Sequence, residues 1–187
     1  MAYLLSAAIE RIRVDLNLSS DATTTSLIRN TFWWAISVLM LSEETAPEDM
    51  IGLYNSFEKT VLPATPLINL KTDSLSVDFM RLISVRKKSS ALNMTTLEEL
   101  PISLRSKWNT NDETIPRYTV YWYQEGQLLK FVISQELVNV NVEVFYIKNP
   151  PVSISDSTDL LNYFSYGLVN KAIDASEKRL IELRNAI

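Results

Sequence analysis

The apolar residues of this chain change period along its length, and that change limits the fold more than any other feature. From Tyr3 to about Val61, and again from about Ser157 onward, they recur at helical spacing. Between Val77 and Phe145 they alternate, as they do in half-buried strands. A run of helices, a run of strands and a final helix, without one-to-one alternation, predicts an α+β fold with an antiparallel sheet. At 187 residues the chain is read as one domain, 1–187, able to bury a sizeable core.

The expected elements follow the same pattern. Leu5, Ile9, Ile12 and Leu16 place a helix from Tyr3 to about Leu16, ended by the capping-rich break Asn17 to Asp21. A second helix is expected from about Thr24 to Ser42. Its latter half, from Phe32 to Leu41, is apolar all round, which suits a helix buried in a core. The sharper alternative is that Trp33 and Trp34 belong to a subunit interface. Thr45 and Glu48 fit a capping box with Pro47 in the first turn. The third helix they predict carries Met50, Leu53, Tyr54, Phe57 and Val61 on one face and stops before Pro63. The N-terminal helices thus occupy 1–62, and a polar arm with two prolines follows over 63–76.

A β-subdomain is expected over 77–151. Its strands are Val77–Val85, closed by a charged turn at Arg86-Lys87-Lys88-Ser89-Ser90, then a hairpin of Tyr118–Tyr123 and Gln127–Ile133 turning at Gln124-Glu125-Gly126, then Val138–Phe145. Thr95 or Thr96 ahead of Glu98 and Glu99 predicts the cap of a short helix. Pro150-Pro151 ends the sheet, and a long C-terminal helix is expected over 157–187. The predicted architecture is therefore a helical bundle, three N-terminal helices plus the C-terminal one, with a small inserted antiparallel β-domain.

Composition removes many functions. With no Cys and no His there is no disulfide, thiolate nucleophile, zinc knuckle or Ser–His–Asp relay, and neither a metal nor a cofactor is expected. Gly52, Gly126 and Gly167 are too scattered for a phosphate-binding loop. A net charge of −4 argues against a nucleic-acid binder that relies on a broad basic surface. The most apolar run, Phe32 to Leu41, is too short for a bilayer, which takes about 20 residues. The stretch Met1–Arg13 meets Glu10 and Arg11 too soon for a secretory leader, and a soluble protein is expected.

Candidate chemistry is sparse. The acid pairs Glu43-Glu44 and Glu98-Glu99 point about 100° apart if helical, so neither makes a facing acid–base couple; both suit the first turn of a helix instead. A carboxylate-based glycan hydrolase remains an alternative, requiring two acids to converge about 5–10 Å apart in a cleft. A generic α+β ligand-binding domain is another. The basic turn at Arg86, Lys87 and Lys88 is read as a solvated turn that blunts a strand edge, or as an inter-subunit contact. Tyr118, Tyr121, Trp122 and Tyr123 offer rings for base stacking, but no basic residue alternates with them, and sheet packing is the plainer reading.

Two sets of phrases resemble a known family. The first is Ser76-Val77-Asp78-Phe79-Met80-Arg81-Leu82-Ile83-Ser84-Val85, Leu92, Thr96-Leu97-Glu98-Glu99-Leu100 and Trp108. The second is Ile115-Pro116-Arg117-Tyr118, the Gly126 hairpin, Val142-Glu143-Val144-Phe145-Tyr146 and Pro150 to Asp156 before a long helix. Together, over about 75–187, they resemble the head-to-tail adaptors of tailed bacteriophages, the tail tubular or first-ring proteins of short-tailed phages. This chain departs from that pattern at Leu75-Ser76-Val77, where the family often has Leu-Pro ahead of the Asp-Phe phrase.

The resemblance implies a virion structural protein and not an enzyme, assembled in the host cytoplasm. It implies a closed homo-oligomeric ring, commonly a dodecamer, under the portal protein. The ring extends the DNA channel and carries tail or further ring proteins, with DNA only passing through and no membrane involved. No cofactor comes with it. Adaptor families commonly engage the portal through the C-terminal segment. The stripe Ile173, Leu180, Leu183 and Ile187 is therefore the expected portal contact.

Overall fold

Leu5, Ala8, Ile9 and Ile12 stand at i, i+3, i+4 and i+7, and all four are buried on one face of helix α1 (Leu5–Asp15). They are seen so in a computed structural model that describes residues 2–73, 79–89, 93–105, 108, 115–134, 136–150 and 154–185. Leu4 offers no capping side chain. Instead the orphan amides of Leu5 and Ser6 donate to the carbonyls of Thr158 and Asp156, each at 3.1 Å. At the other end Asn17 takes a left-handed conformation (φ 51°) and Leu18 N–H donates to Arg13 C=O, which closes the helix.

Asp21 caps α2 (Ala22–Leu41) by accepting from Thr24 N–H at 2.9 Å. Ile28, Phe32, Ala35, Ile36 and Met40 line its buried face. A 3₁₀ stretch, Pro47–Leu53, buries Met50 and Leu53, and a second, Leu160–Asn162, is capped by Asp159. The same Asp159 oxygen accepts from Leu161 N–H and Tyr3 N–H, so one carboxylate holds two segments. The two 3₁₀ stretches touch at Gly52, where any Cβ would stand 1.8 Å from the Asn162 carbonyl oxygen. Ser165 completes the seam through its N–H and hydroxyl to Asp49. The later long helix, Tyr166–Asn185, buries Leu168, Val169, Ala172, Ile173 and Leu180. These elements make a helical unit of Met1–Tyr54 and Asn149–Ile187.

The second unit, Asn55–Lys148, is a two-sheet sandwich. Its strands are β1 (Tyr54–Val61), β2 (Leu67–Asn69), β3 (Phe79–Lys88), β4 (Met94–Thr96), β5 (Glu98–Glu99), β6 (Val120–Glu125), β7 (Leu128–Ile133) and β8 (Val140–Lys148). A one-turn helix, α3 (Ile102–Arg105), lies between β5 and β6, which makes the long C-terminal helix α4. The sheet orders are β1-β8-β3-β4 and β2-β7-β6-β5. Inward residues of both form one core, including Phe57, Val61, Ile68, Val85, Phe131, Val142, Val144 and Tyr146. Gly126 (φ 59°) makes the tight β6–β7 turn that the sequence marks. The β5–β6 pairing is parallel, against the expected all-antiparallel sheet.

The α+β class is as expected, with four elements corrected. The third N-terminal helix is a 3₁₀ stretch followed by β1. Phe57 and Val61 are four apart, a spacing that fits both periods, and pairing beside β8 decides for the strand. The boundaries of the β unit accordingly fall at 54/55 and 148/149, not at 76/77 and 151/152. The arm at 63–76 holds β2 in its described part, while 74–76 lie outside the described residues. The cap expected at Thr95–Glu99 is β4 and β5. The C-terminal helix starts at Tyr166, because 160–162 form a separate 3₁₀ turn.

Candidate functional site: an apolar groove on the helical unit

Three helix ends build one recess. The left-handed turn at Asn17 brings Leu16 and Leu18 round the end of α1, the Asp21 cap sets Thr24 and Leu27 in the first turns of α2, and the last turns of α4 supply Leu180, Ile181, Leu183 and Arg184. The groove holds about 270 Å³ and is lined almost wholly by branched aliphatic side chains. Asp21, the N-cap of α2, is held well below the usual carboxylate range, first by the Ser19 hydroxyl and then by the amide and hydroxyl of Thr24.

One turn back from the groove, α1 and α4 meet through charge. Burial, and then the neighbouring Asp15 and Asp174, push the Glu177 carboxyl up, and Arg11 offsets part of this. One Glu177 oxygen is buried with no hydrogen-bond partner. Arg11 pairs with Asp15 at 3.6 Å and donates to Asn170 at 2.8 Å. Farther along, the Arg179 guanidinium lies 5.6 Å from the centre of the Trp34 ring and pairs with Glu182 at 3.1 Å.

The expected portal stripe is divided by these positions. Ile173 is fully buried in the helical core and has no surface to offer, which corrects its place in the stripe. Leu180, 6% exposed, forms the floor of the groove, and half-buried Leu183 forms part of its wall. Ile187 lies outside the described residues. The groove residues that the periodicity did not single out are Leu18, Leu27 and Ile181, while Leu16 enters only as a residue at helical spacing in the first helix. Leu18, an apolar residue inside a capping-rich break, was the available signal.

Arg86, Lys87 and Lys88 do not form a turn; they are the last residues of β3, all three paired with β4 on one side, and Arg86 and Lys87 with β8 on the other. Each is half-buried. The Arg86 guanidinium stands 4.6 Å from the Phe145 ring centre, and Lys88 pairs with Glu58. That geometry blunts their use as free cations. The acid pairs are also relocated. Glu43-Glu44 follow the end of α2, Glu98-Glu99 form β5, and Glu99 pairs with Arg105 at 3.1 Å. The acids in the first turn of a helix are instead Glu48 and Asp49. Among the described residues, no group of three or more acids could hold a metal ion, and no helix is long and apolar enough to cross a membrane.

The strand aromatics split between two faces. Trp122 packs toward the sandwich core and donates its indole N–H to Leu97 C=O at 3.0 Å. Tyr121 and Tyr123 pack on the other face with Leu104 and Trp108. Cations absent from the strand itself arrive from elsewhere: Arg105 and Lys130 stand 5.0 and 6.0 Å from the Tyr123 ring centre. Both are neutralised by acids, Arg105 by Glu99 and Lys130 by Glu125. No protein-family model matches the chain, and no curated protein matches it.

Proposed function

We propose that this chain is a structural subunit of a homo-oligomeric ring that joins a phage portal to the tail and extends the DNA channel. The observation that carries the reading is the apolar groove, which two of the sequence-chosen stripe residues, Leu180 and Leu183, help to line. A groove of this kind accepts an amphipathic helix or an apolar side-chain ridge from another chain. Burying one aliphatic side chain there contributes about 1.5–3 kcal/mol before ordering costs. The net charge of −4 supports the same role, because a channel that passes DNA should not retain it by counterion release. Function then lies in association alone, with a virion location and tail or further ring proteins as the other neighbours.

The test uses Ile181, 46% exposed on the groove wall, since Leu180 is too deep to charge without unfolding the bundle. Ile181→Glu should keep the wild-type far-UV circular dichroism spectrum and lose capture by the portal protein of the same phage. Capture at wild-type strength by that folded variant would overturn the assignment of the groove.

A further inference from the structure

The groove at the ends of α1, α2 and α4 is lined by leucine and isoleucine except at Thr24 and Arg184. The Thr24 hydroxyl is spent on Asp21 at 2.8 Å and on Ser19 at 3.0 Å. Arg184 is exposed and makes neither an ion pair nor a hydrogen bond with any described residue. The acids of the adjoining turns are taken: Asp21 caps α2 through Thr24 N–H, and Glu182 pairs with Arg179 at 3.1 Å. As a last-turn residue Arg184 also meets the negative end of the α4 dipole, which leaves its fork of donors open. The lining therefore offers an occupant apolar surface and one unspent polar group, a guanidinium.

We infer that the groove receives a helix of a partner chain that presents two neighbouring apolar side chains and, one turn further on, a carboxylate for Arg184. The volume sets the number of side chains. An apolar cavity of about 150 Å³ holds one benzene ring, so the groove, at about 270 Å³, takes two side chains of Leu, Ile or Phe size. Two such side chains share a helix face when they stand three or four residues apart. Arg184 lies one turn beyond Leu180 on α4, which places the partner's acid one turn beyond its apolar pair. Charge then selects among apolar helices: an acidic flank meets the guanidinium, and a basic flank is repelled. A nucleic acid is a poor occupant, because it needs several cations and finds one. A free small ligand fits less well too, since such sites hold about 300–1,000 Å³ and enclose most of the ligand.

The inference rests on the groove as the partner contact assigned above and adds what the partner carries there, but it is tested without the portal. Two fluorescent alanine-based helical peptides are titrated with the purified full chain and followed by anisotropy. Both hold two Leu four residues apart, and they differ only in a Glu or a Lys one turn beyond. At low salt the Glu peptide should bind about fivefold tighter, the upper range for an exposed ion pair. The preference should vanish at about 1 M salt, where charges are screened within about 3 Å. It should also vanish in Arg184→Gln and reverse in Arg184→Glu, while Ile181→Glu, folded by circular dichroism, should bind neither peptide. Equal binding of the two peptides by wild type would overturn the inference. So would no binding of either at millimolar concentration, or a preference that survives Arg184→Glu. Decanoate bound tighter than the Glu peptide would also overturn it and would assign the groove to a free amphiphile. The expected peptide preference in a chain that fails to capture the portal would uphold the inference and count against the adaptor reading alone.

Discussion

The outward face of α2 and the outward face of the first sheet solve the problem of meeting water in opposite ways. On the sheet, polar groups answer one another across strands: Ser56 donates to Glu143, Thr60 to Asn141, Lys88 pairs with Glu58, and Arg86 covers the Phe145 ring. On α2, Trp34, Val38 and Leu41 face outward beside the uncharged Ser37 and Asn30, and the Arg179 guanidinium of α4 lies over the Trp34 ring. Cross-strand pairs each contribute only about 0.2–1 kcal/mol, yet they complete the surface from within the chain. On the helix face Val38 and Leu41 stay exposed to water. The difference moves attention from the basic residues of β3 to the helical unit.

That contrast is sharpened first by two glycines, one in each unit. Gly52→Ala drives a methyl group into the Asn162 carbonyl in the helical unit, where backbone meets backbone and neither can yield cheaply. A loss of about 3 kcal/mol is expected from overpacking, read from thermal or urea unfolding. A variant as stable as wild type would show that the two 3₁₀ stretches do not pack as described. Next in size is Leu180→Ala, which should cost about 2–3 kcal/mol because Leu180 is a buried floor residue. Ile181→Ala, on the open wall, should cost less than 1 kcal/mol. Equal losses at the two neighbours would remove the distinction between floor and wall.

Gly126→Ala comes third. Nothing lies within 4 Å of an added Cβ, so only the left-handed backbone is at issue, and about 1–2 kcal/mol is expected. The smallest effect concerns charge at the α1–α4 seam. The Glu177 carboxyl is raised by burial and by Asp15 and Asp174, so the folded state holds its proton more tightly than the unfolded chain. For a raised acid, the penalty is fully present above the folded pKa and fades as pH falls toward the ordinary value of 4.5. Glu177→Gln should therefore raise the melting temperature slightly at neutral pH and match wild type below pH 4.5. A lower melting temperature at neutral pH would mean that the ionised carboxylate is a net stabiliser through Arg11.

Much of this architecture was legible in the chain. The i, i+3, i+4, i+7 pattern of Leu5 to Ile12 gave α1, and the alternation from Val140 to Val144 gave β8, because each pattern fits a single period. The segment from Tyr54 to Val61 was not legible, since residues four apart satisfy both periods and the choice falls to tertiary pairing. Glu98 and Glu99 misled for a related reason: a capping pattern is local, whereas the pairing of β5 with β6 is made more than twenty residues away. The groove was half legible. Leu180 and Leu183 follow from the stripe on α4, but Leu16 and Leu18 come from the turn after α1 and Leu27 from α2, and periodicity within one helix cannot show what neighbours it. Ile173 belongs to the same stripe and is core, because the stripe passes from the packed part of the bundle to its open end.

The proposed role is tested most directly by one mass measurement, made on the purified chain alone and mixed with the purified portal protein of the same phage. Size-exclusion chromatography with multi-angle light scattering reads both. Expected is a multi-copy species of the chain that co-elutes with the portal and adds a fixed number of copies to its mass. A chain that leaves the portal's mass unchanged, at concentrations where each protein is folded, would contradict the adaptor role.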